Sequence, residues 1–169
     1  AKLPSLPDGK PMRPFLGDPV ELHQLLANLG INARDASNEH GNILVRVVPE
    51  PNASGHCASC SAALSGPYTA IQVVDNGAGI PPVTLGRIVE PFFTTKDVGQ
   101  GTGMGLSVVH GIVHDSGGHL QVTSTSGAGS VFTLLLPAIQ EVPAVGRTSG
   151  ALPAISEARV ERHLMLVAD

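Results

Sequence analysis

Asp75-Asn76-Gly77-Ala78-Gly79-Ile80 and Gly101-Thr102-Gly103-Met104-Gly105-Leu106-Ser107 bracket a short segment, Pro91-Phe92-Phe93-Thr94-Thr95-Lys96. The first glycine cluster closes a strand-like run, and the second opens a helix-like run. Glycine accepts positive φ and lets backbone approach a ligand closely, while a helix N-terminus behind it offers unpaired N–H groups to an anion. In outline this is a nucleotide cradle. It lacks the Gly-Lys-Ser/Thr of a P-loop, and no parallel βαβ unit surrounds it as a dinucleotide fold requires.

Upstream, Asp18-Pro19-Val20-Glu21 starts a helix. Asp18 supplies the cap, Pro19 suits the first turn, and Glu21 stands where a capping-box partner belongs. Leu22, Leu25, Leu26, Leu29, Ala33 and Ala36 then recur at helical spacing as one apolar stripe. Asn28, Asn32 and Asp35 form a polar row beside that stripe. Such a row can be a solvated face, or it can look into a pocket, where amide oxygens are hard ligands suited to Mg²⁺ shared with phosphates. Ile43 to Val48 and Tyr68 to Val74 read as strands, the second ending on Asp75. Asp-Asn-Gly is an ordinary turn former; a buried carboxylate there could also accept a hydrogen bond from an exocyclic amine such as that of adenine.

Downstream, Pro81 to Gln100 is mixed and glycine-punctuated, as a mobile lid is. Met104 to Ser116 reads as a helix stopped by Gly117-Gly118. His119 to Thr125 and Ser130 to Leu136 read as strands joined by the hairpin Ser126 to Gly129, and Pro137 ends the pattern. The order predicts an α+β fold: a two-layer α/β sandwich whose mixed, mostly antiparallel sheet carries helices on one face. The domain is expected over residues 18–137, with a linker or irregular edge segment over 1–17 and a flexible Pro/Ala/Gly/Ser-rich linker from 138.

Of 169 residues, 42% are hydrophobic but only 3% aromatic with no Trp, so the core must be built from Leu, Val, Ile and Ala. A net charge of −4 argues against a nucleic-acid binder. No apolar run reaches the roughly 18 to 20 residues of a membrane span, so no direct membrane contact and a cytoplasmic domain are expected. Two cysteines are too few for a disulfide framework. They stand in His56-Cys57-Ala58-Ser59-Cys60, inside the Pro/Gly/Ser-rich run from Pro49 to Gly66. One Cys-x-x-Cys gives two ligands where structural zinc takes four, and His56 is poorly placed to join them. The expectation is a variable loop insertion with free thiols in a reducing compartment.

Taken in order, these segments resemble the catalytic ATP-binding domain of sensor histidine kinases, in the superfamily that also holds gyrase, Hsp90 and MutL. Leu25 to Ala36 is similar to its N box, Asp75 to Ile80 to its first glycine box, Pro91 to Lys96 to its F box, and Gly101 to Ser107 to its second glycine box. Gly127-Ala128-Gly129-Ser130-Val131-Phe132 resembles its closing hairpin, so the likeness covers about Phe15 to Pro137. The resemblance implies a Bergerat-type fold with ATP and Mg²⁺ as cofactors. Asn32 would coordinate the ion bridging the phosphates, with Asn28 assisting. Asp75 would bond the adenine amine, and Gly77 and Gly79 would let the base approach. Gly101, Thr102, Gly103 and Gly105, with the amide of Leu106, would wrap the phosphates, and Ser130 counts among the nucleotide contacts. Phe92 and Phe93 would anchor the lid, and Lys96 would reach a phosphate.

ATPase members of that superfamily place a general-base Glu one helical turn before the magnesium Asn. Here that residue is Asn28, and an amide cannot take a proton at neutral pH, which favours transfer over hydrolysis. The resemblance implies transfer to a His on a dimerisation and His-phosphotransfer domain outside this chain, then to a response-regulator receiver domain. His163 to Asp169 looks like the first strand of such a receiver. His23 and His114 read as exposed helix positions and not as the acceptor. Two alternatives stand: a serine kinase of the same fold acting on a protein partner, or a nucleotide-binding switch without turnover.

Overall fold

The computed structural model describes residues 17–37, 41–96 and 101–138. The linker expected over 1–17 lies outside the described residues but for Gly17, and the linker and receiver-like tail expected over 138–169 lie outside them but for Ala138. The elements in order are α1 (Pro19–Ala36), β1 (Ile43–Glu50), β2 (Tyr68–Asp75), α2 (Pro82–Leu85), α3 (Gly105–Asp115), β3 (His119–Thr125) and β4 (Gly129–Pro137). Helix α1 begins at the expected cap, where Asp18 Oδ1 accepts from the Val20 N–H at 2.6 Å. Helix α3 ends in a double turn: the Gly118 N–H donates to the Val113 carbonyl and the Gly117 N–H to that of His114, both at 2.8 Å. Gly117 sits at φ +69, the left-handed conformation this motif needs.

The strands lie in the order β1-β2-β4-β3, and every pairing is antiparallel. The sequence led us to expect a mixed, mostly antiparallel sheet, and among the described residues it is antiparallel throughout. Helix α3 carries the chain back along the sheet, so β3 enters from the end at which β2 began. The β3–β4 hairpin then returns β4 beside β2 in the opposite sense. The first glycine box and the β3–β4 hairpin therefore share one end of the sheet, and the Pro49–Gly66 segment occupies the other end.

Strand alternation sorts the side chains onto two faces. On one face Ile71 and Val73 stand opposite Leu134 and Phe132, and with Leu120 they pack in one cluster with Leu25, Leu29 and Ala33 of α1 and Val109 and Val113 of α3. The aliphatic core inferred from composition is the one observed, with Phe132 as its one buried aromatic ring. On the opposite face, Ala70 and Leu135 are covered by Ala53, Cys57 and Leu64. The insertion between β1 and β2 is thus a packed flap with its own small core, held to β3 by Ala58 N–H to Leu120 O at 2.7 Å and Gln121 Nε2 to Ser54 O at 2.8 Å.

Because Leu29 and Leu134 are essentially sealed from solvent on facing layers, Leu29→Ala and Leu134→Ala should each lower the free energy of unfolding by about 2 to 5 kcal/mol in urea denaturation. A loss under about 1 kcal/mol at both positions would contradict this packing.

Candidate nucleotide site

Strand β2 delivers Asp75 to the glycine-box end, 5% exposed and flanked in register by Ile43 of β1 and Ser130 of β4. Asp75 Oδ1 accepts from the Gly77 N–H at 2.9 Å, the turn-forming role. Among the described residues Oδ2 has no partner, so the same carboxylate keeps an acceptor for a ligand. The turn-forming reading of Asp-Asn-Gly therefore holds, and it uses only one of the two carboxylate oxygens.

The glycines of the first box are demanded by protein contacts. A Cβ at Gly77 would lie 2.3 Å from the Ala36 carbonyl oxygen, and one at Gly79, whose φ is +67, would lie 2.0 Å from that of Thr125. Between them the Ala78 N–H donates to Ala36 O at 2.8 Å and Ala78 O accepts from the Gly127 N–H at 2.7 Å. The box stitches the end of α1 to the β3–β4 hairpin. Ser130, expected among the nucleotide contacts, is 3% exposed and bonds Ser124 Oγ at 3.0 Å. Ser124 Oγ in turn accepts from the Ile80 N–H at 2.7 Å. Ser130 supports the loop behind Asp75; it does not line open space.

The second box meets the N box. A Cβ at Gly105 would lie 3.4 Å from Asn28 Oδ1 and 3.6 Å from Asn32 Nδ2, so the first residue of α3 faces both asparagines. Asn28 Nδ2 donates to the Gln24 carbonyl at 3.0 Å, which turns its oxygen toward Gly105. The first-turn N–H groups of α3, from Gly105 onward, have no helical acceptor and carry the positive end of the helix dipole. Leu106 puts its side chain on the core and leaves its amide in that turn. Thr102 Oγ1 accepts from the Met104 N–H at 3.3 Å, shaping the entry to the helix. The donor set of two half-buried amides and no carboxylate fits a hard cation shared with phosphate oxygens.

Between the boxes the structure corrects one assignment and gives the other residue a protein partner. The Phe92 ring is 76% exposed and anchors nothing; its backbone does, donating N–H to Gly103 O at 3.0 Å. A Cβ at Gly103 would meet that backbone at 2.5 Å, and Phe92 itself is forced to φ +66. Left-handed backbone at a non-glycine residue costs on the order of 1 to 3 kcal/mol. It is Phe93 that packs on the core, under the Arg87 guanidinium 4.5 Å from its ring centre. Lys96, expected on a phosphate, donates to Asp35 Oδ2 at 2.6 Å and flanks Gly101, with Cδ 3.1 Å from a Cβ built there. The Lys96 hydrogen bond holds the Asp35 carboxyl below its ordinary range against the opposing effect of burial, and Arg34 adds to it. The pair's contribution is present above the usual carboxylate range and is lost as pH falls through the depressed folded value. So exposed a pair is worth roughly 0 to 1 kcal/mol, and a polyphosphate can draw Lys96 away.

At the far end of the sheet, the reading of His114 as an exposed position does not hold. Its ring is half-buried, 5.6 Å from that of His119 and 4.5 Å from that of His110, and its Nε2 lies 2.9 Å from Ser59 Oγ. The turn that ends α3 folds His119 back toward it, which spacing alone does not reveal. Beside them sits Cys57. Burial pushes its thiol up, but hydrogen bonds from the Cys60 backbone, the Ser59 side chain and the Ser59 and Leu120 backbones outweigh that and lower it to about 5.

A family profile described as "Histidine kinase-, DNA gyrase B-, and HSP90-like ATPase" matches residues 17–140. The chain is 38% identical over 154 residues to Sensor kinase CckA of Brucella abortus, covering 91% of this chain and 16% of that protein. It is 44% identical over 120 residues to Sensor histidine kinase ZraS of Escherichia coli K12, covering 71% of this chain and 22% of that protein. It therefore spans only a minor part of these relatives' length. Among solved structures, the nucleotide-free catalytic domain of histidine kinase ThkA matches with TM-score 0.52 at 30% identity, over 72% of this chain and 69% of that one. Full-length ShkA in complex with AMPPNP matches with TM-score 0.58 at 26% identity, over 79% of this chain and 25% of that one.

Gly79→Ala should cost more than about 1 kcal/mol in thermal or urea unfolding, from positive φ and the Thr125 carbonyl together. Gly111→Ala, inside α3 with nothing within 4 Å of its Cβ, should instead stabilise by about 0.5 to 1 kcal/mol. Equal effects at the two sites would contradict the contact account.

Proposed function

Because the chain belongs to the histidine kinase-, DNA gyrase B- and HSP90-like ATPase family, we propose that it is the ATP-binding catalytic domain of a sensor histidine kinase. It passes the γ-phosphoryl group of ATP to a histidine on a dimerisation domain outside this chain, and from there to a response-regulator receiver. The observation that carries the reading is the convergence of Asn28 and Asn32 on Gly105, at the open first turn of α3. The AMPPNP complex of ShkA supports ATP as the ligand, and the names of CckA and ZraS support the sensor-kinase setting.

In this reading Asp75 Oδ2 accepts from the adenine amine while Oδ1 holds the turn. The N–H groups of Gly105, Leu106 and Ser107 receive phosphate oxygens, which the dipole of α3 favours. Asn32, with Asn28 Oδ1 beside it, would hold Mg²⁺. The ion supplies charge neutralisation across the phosphates. Lys96 exchanges Asp35 for a phosphate oxygen and closes the F-box segment over the ligand. The amide of Asn28 cannot deprotonate water, so positioning for an external nucleophile is what these residues provide. Among the described residues no helix is long and apolar enough to cross a membrane, in keeping with a domain that works in the cytoplasm.

The test supplies a dimerisation domain bearing the acceptor histidine together with ATP labelled at the γ-phosphate. Acid-labile label on that histidine is expected. Acid-stable label on serine, or tight nucleotide binding with no label anywhere, contradicts the reading. Asn32→Ala should weaken Mg-ATP binding at least about tenfold, or roughly 1.4 kcal/mol, without unfolding the chain; unchanged affinity would overturn the assignment.

A further inference from the structure

We propose that Cys57, Cys60, His114 and His119 form a closed zinc site at the end of the sheet opposite the nucleotide site. The sequence supplied only two ligands in Cys57-x-x-Cys60; the fold brings the other two, separated by four residues, across the edge of β3. The four ligand atoms all lie within 4.8 Å of one another. Cys57 Sγ is 3.6 Å from His114 Nε2, and Cys60 Sγ is 3.8 Å from His119 Nδ1. A tetrahedral zinc ion with Zn–S of about 2.3 Å and Zn–N of about 2.0 Å holds its ligands roughly 3.3 to 3.8 Å apart. The cluster needs only a slight contraction to reach that.

Both halves of the site are built by the backbone. The cysteines sit on a tight turn flanked by the antiparallel bridge His56↔Ala63, with the Cys57 N–H donating to Ala62 O at 2.9 Å and the Ser61 N–H to Cys57 O at 3.1 Å. Ser61 takes φ 59 to close it. The histidines are set by the double turn at the end of α3, and Ala58 N–H to Leu120 O locks the two halves together. Ser59 Oγ bridges Cys57 Sγ at 3.2 Å and His114 Nε2 at 2.9 Å. Metal binding requires it to release the nitrogen and keep the sulfur.

Two thiolates and two imidazoles in tetrahedral reach select zinc among the common ions, and four protein ligands leave no open position for catalysis. The role is structural. The ion ties the β1–β2 flap to the C-terminal end of α3, whose other end forms the phosphate site.

The test uses the chain without a polyhistidine tag, reduced, with zinc measured by mass spectrometry and cobalt(II) as a spectroscopic probe. About one zinc per chain is expected, together with thiolate-to-cobalt charge transfer and the intense d–d bands of a tetrahedral site. Chelation should lower the melting temperature and zinc should restore it. Cys60→Ser and His119→Ala should each lose stoichiometric zinc and the cobalt spectrum, while His56→Ala and Asn32→Ala keep both. Substoichiometric zinc in the reduced parent chain overturns the proposal. So does a cobalt spectrum unchanged by the Cys60→Ser, His119→Ala double substitution, or a Cys57–Cys60 disulfide that takes up no cobalt once reduced.

Discussion

The close approach of α1 and α3 at Gly105 governs both the core and the candidate site. Leu25, Leu29 and Ala33 of the first helix and Val109 and Val113 of the second are sealed in one cluster over β2 and β4. That packing sets the height of both helices above the sheet. Where α3 begins, the absence of a side chain at Gly105 leaves the space into which Asn28 and Asn32 point. A larger residue would fill the gap between two amides and a helix N-terminus, the space proposed for a phosphate and its cation. The apolar contact thus fixes a polar geometry at its own margin. The same two helices that bury the core make the site.

The sheet gives the molecule two chemically different ends. At one, Asp75 is pinned between neighbouring strands, and the first glycine box is stitched to α1 and to the β3–β4 hairpin through Ala36, Thr125 and Gly127. At the other, the β1–β2 flap brings two sulfurs to two imidazoles. Helix α3 runs from one end to the other. Anchoring its C-terminal end would restrain the element whose N-terminal amides are proposed to meet the phosphates.

Much of this was legible in the sequence because local signals agreed. Asp18 and Pro19 marked the start of α1, the Leu/Ala stripe marked its buried face, and Gly117-Gly118 marked the end of α3. Antiparallel pairing throughout was not legible, since strand order depends on where α3 returns the chain. The glycines were located, but their reasons were not. Gly77, Gly79 and Gly103 answer to carbonyl and backbone neighbours far away in sequence. Phe92 and Phe93 look equivalent in the chain, yet a positive φ at Phe92 turns its ring outward and leaves the core to Phe93. Lys96 and Asp35, 61 residues apart, pair through space. His114 and His119 were the largest omission, because their approach to Cys57 and Cys60 depends on a turn and a flap that no periodicity encodes.

The central claim is that Asn28, Asn32 and the first turn of α3 form one Mg-ATP site. Nuclear magnetic resonance tests it directly, by following the side-chain amides of Asn28 and Asn32 and the backbone amides of Gly105, Leu106 and Ser107 as ATP is added with and without Mg²⁺. The account predicts that all five groups shift together on one binding curve, with the two asparagine side chains responding chiefly when Mg²⁺ is present. Saturable ATP binding that leaves these five signals in place would contradict it.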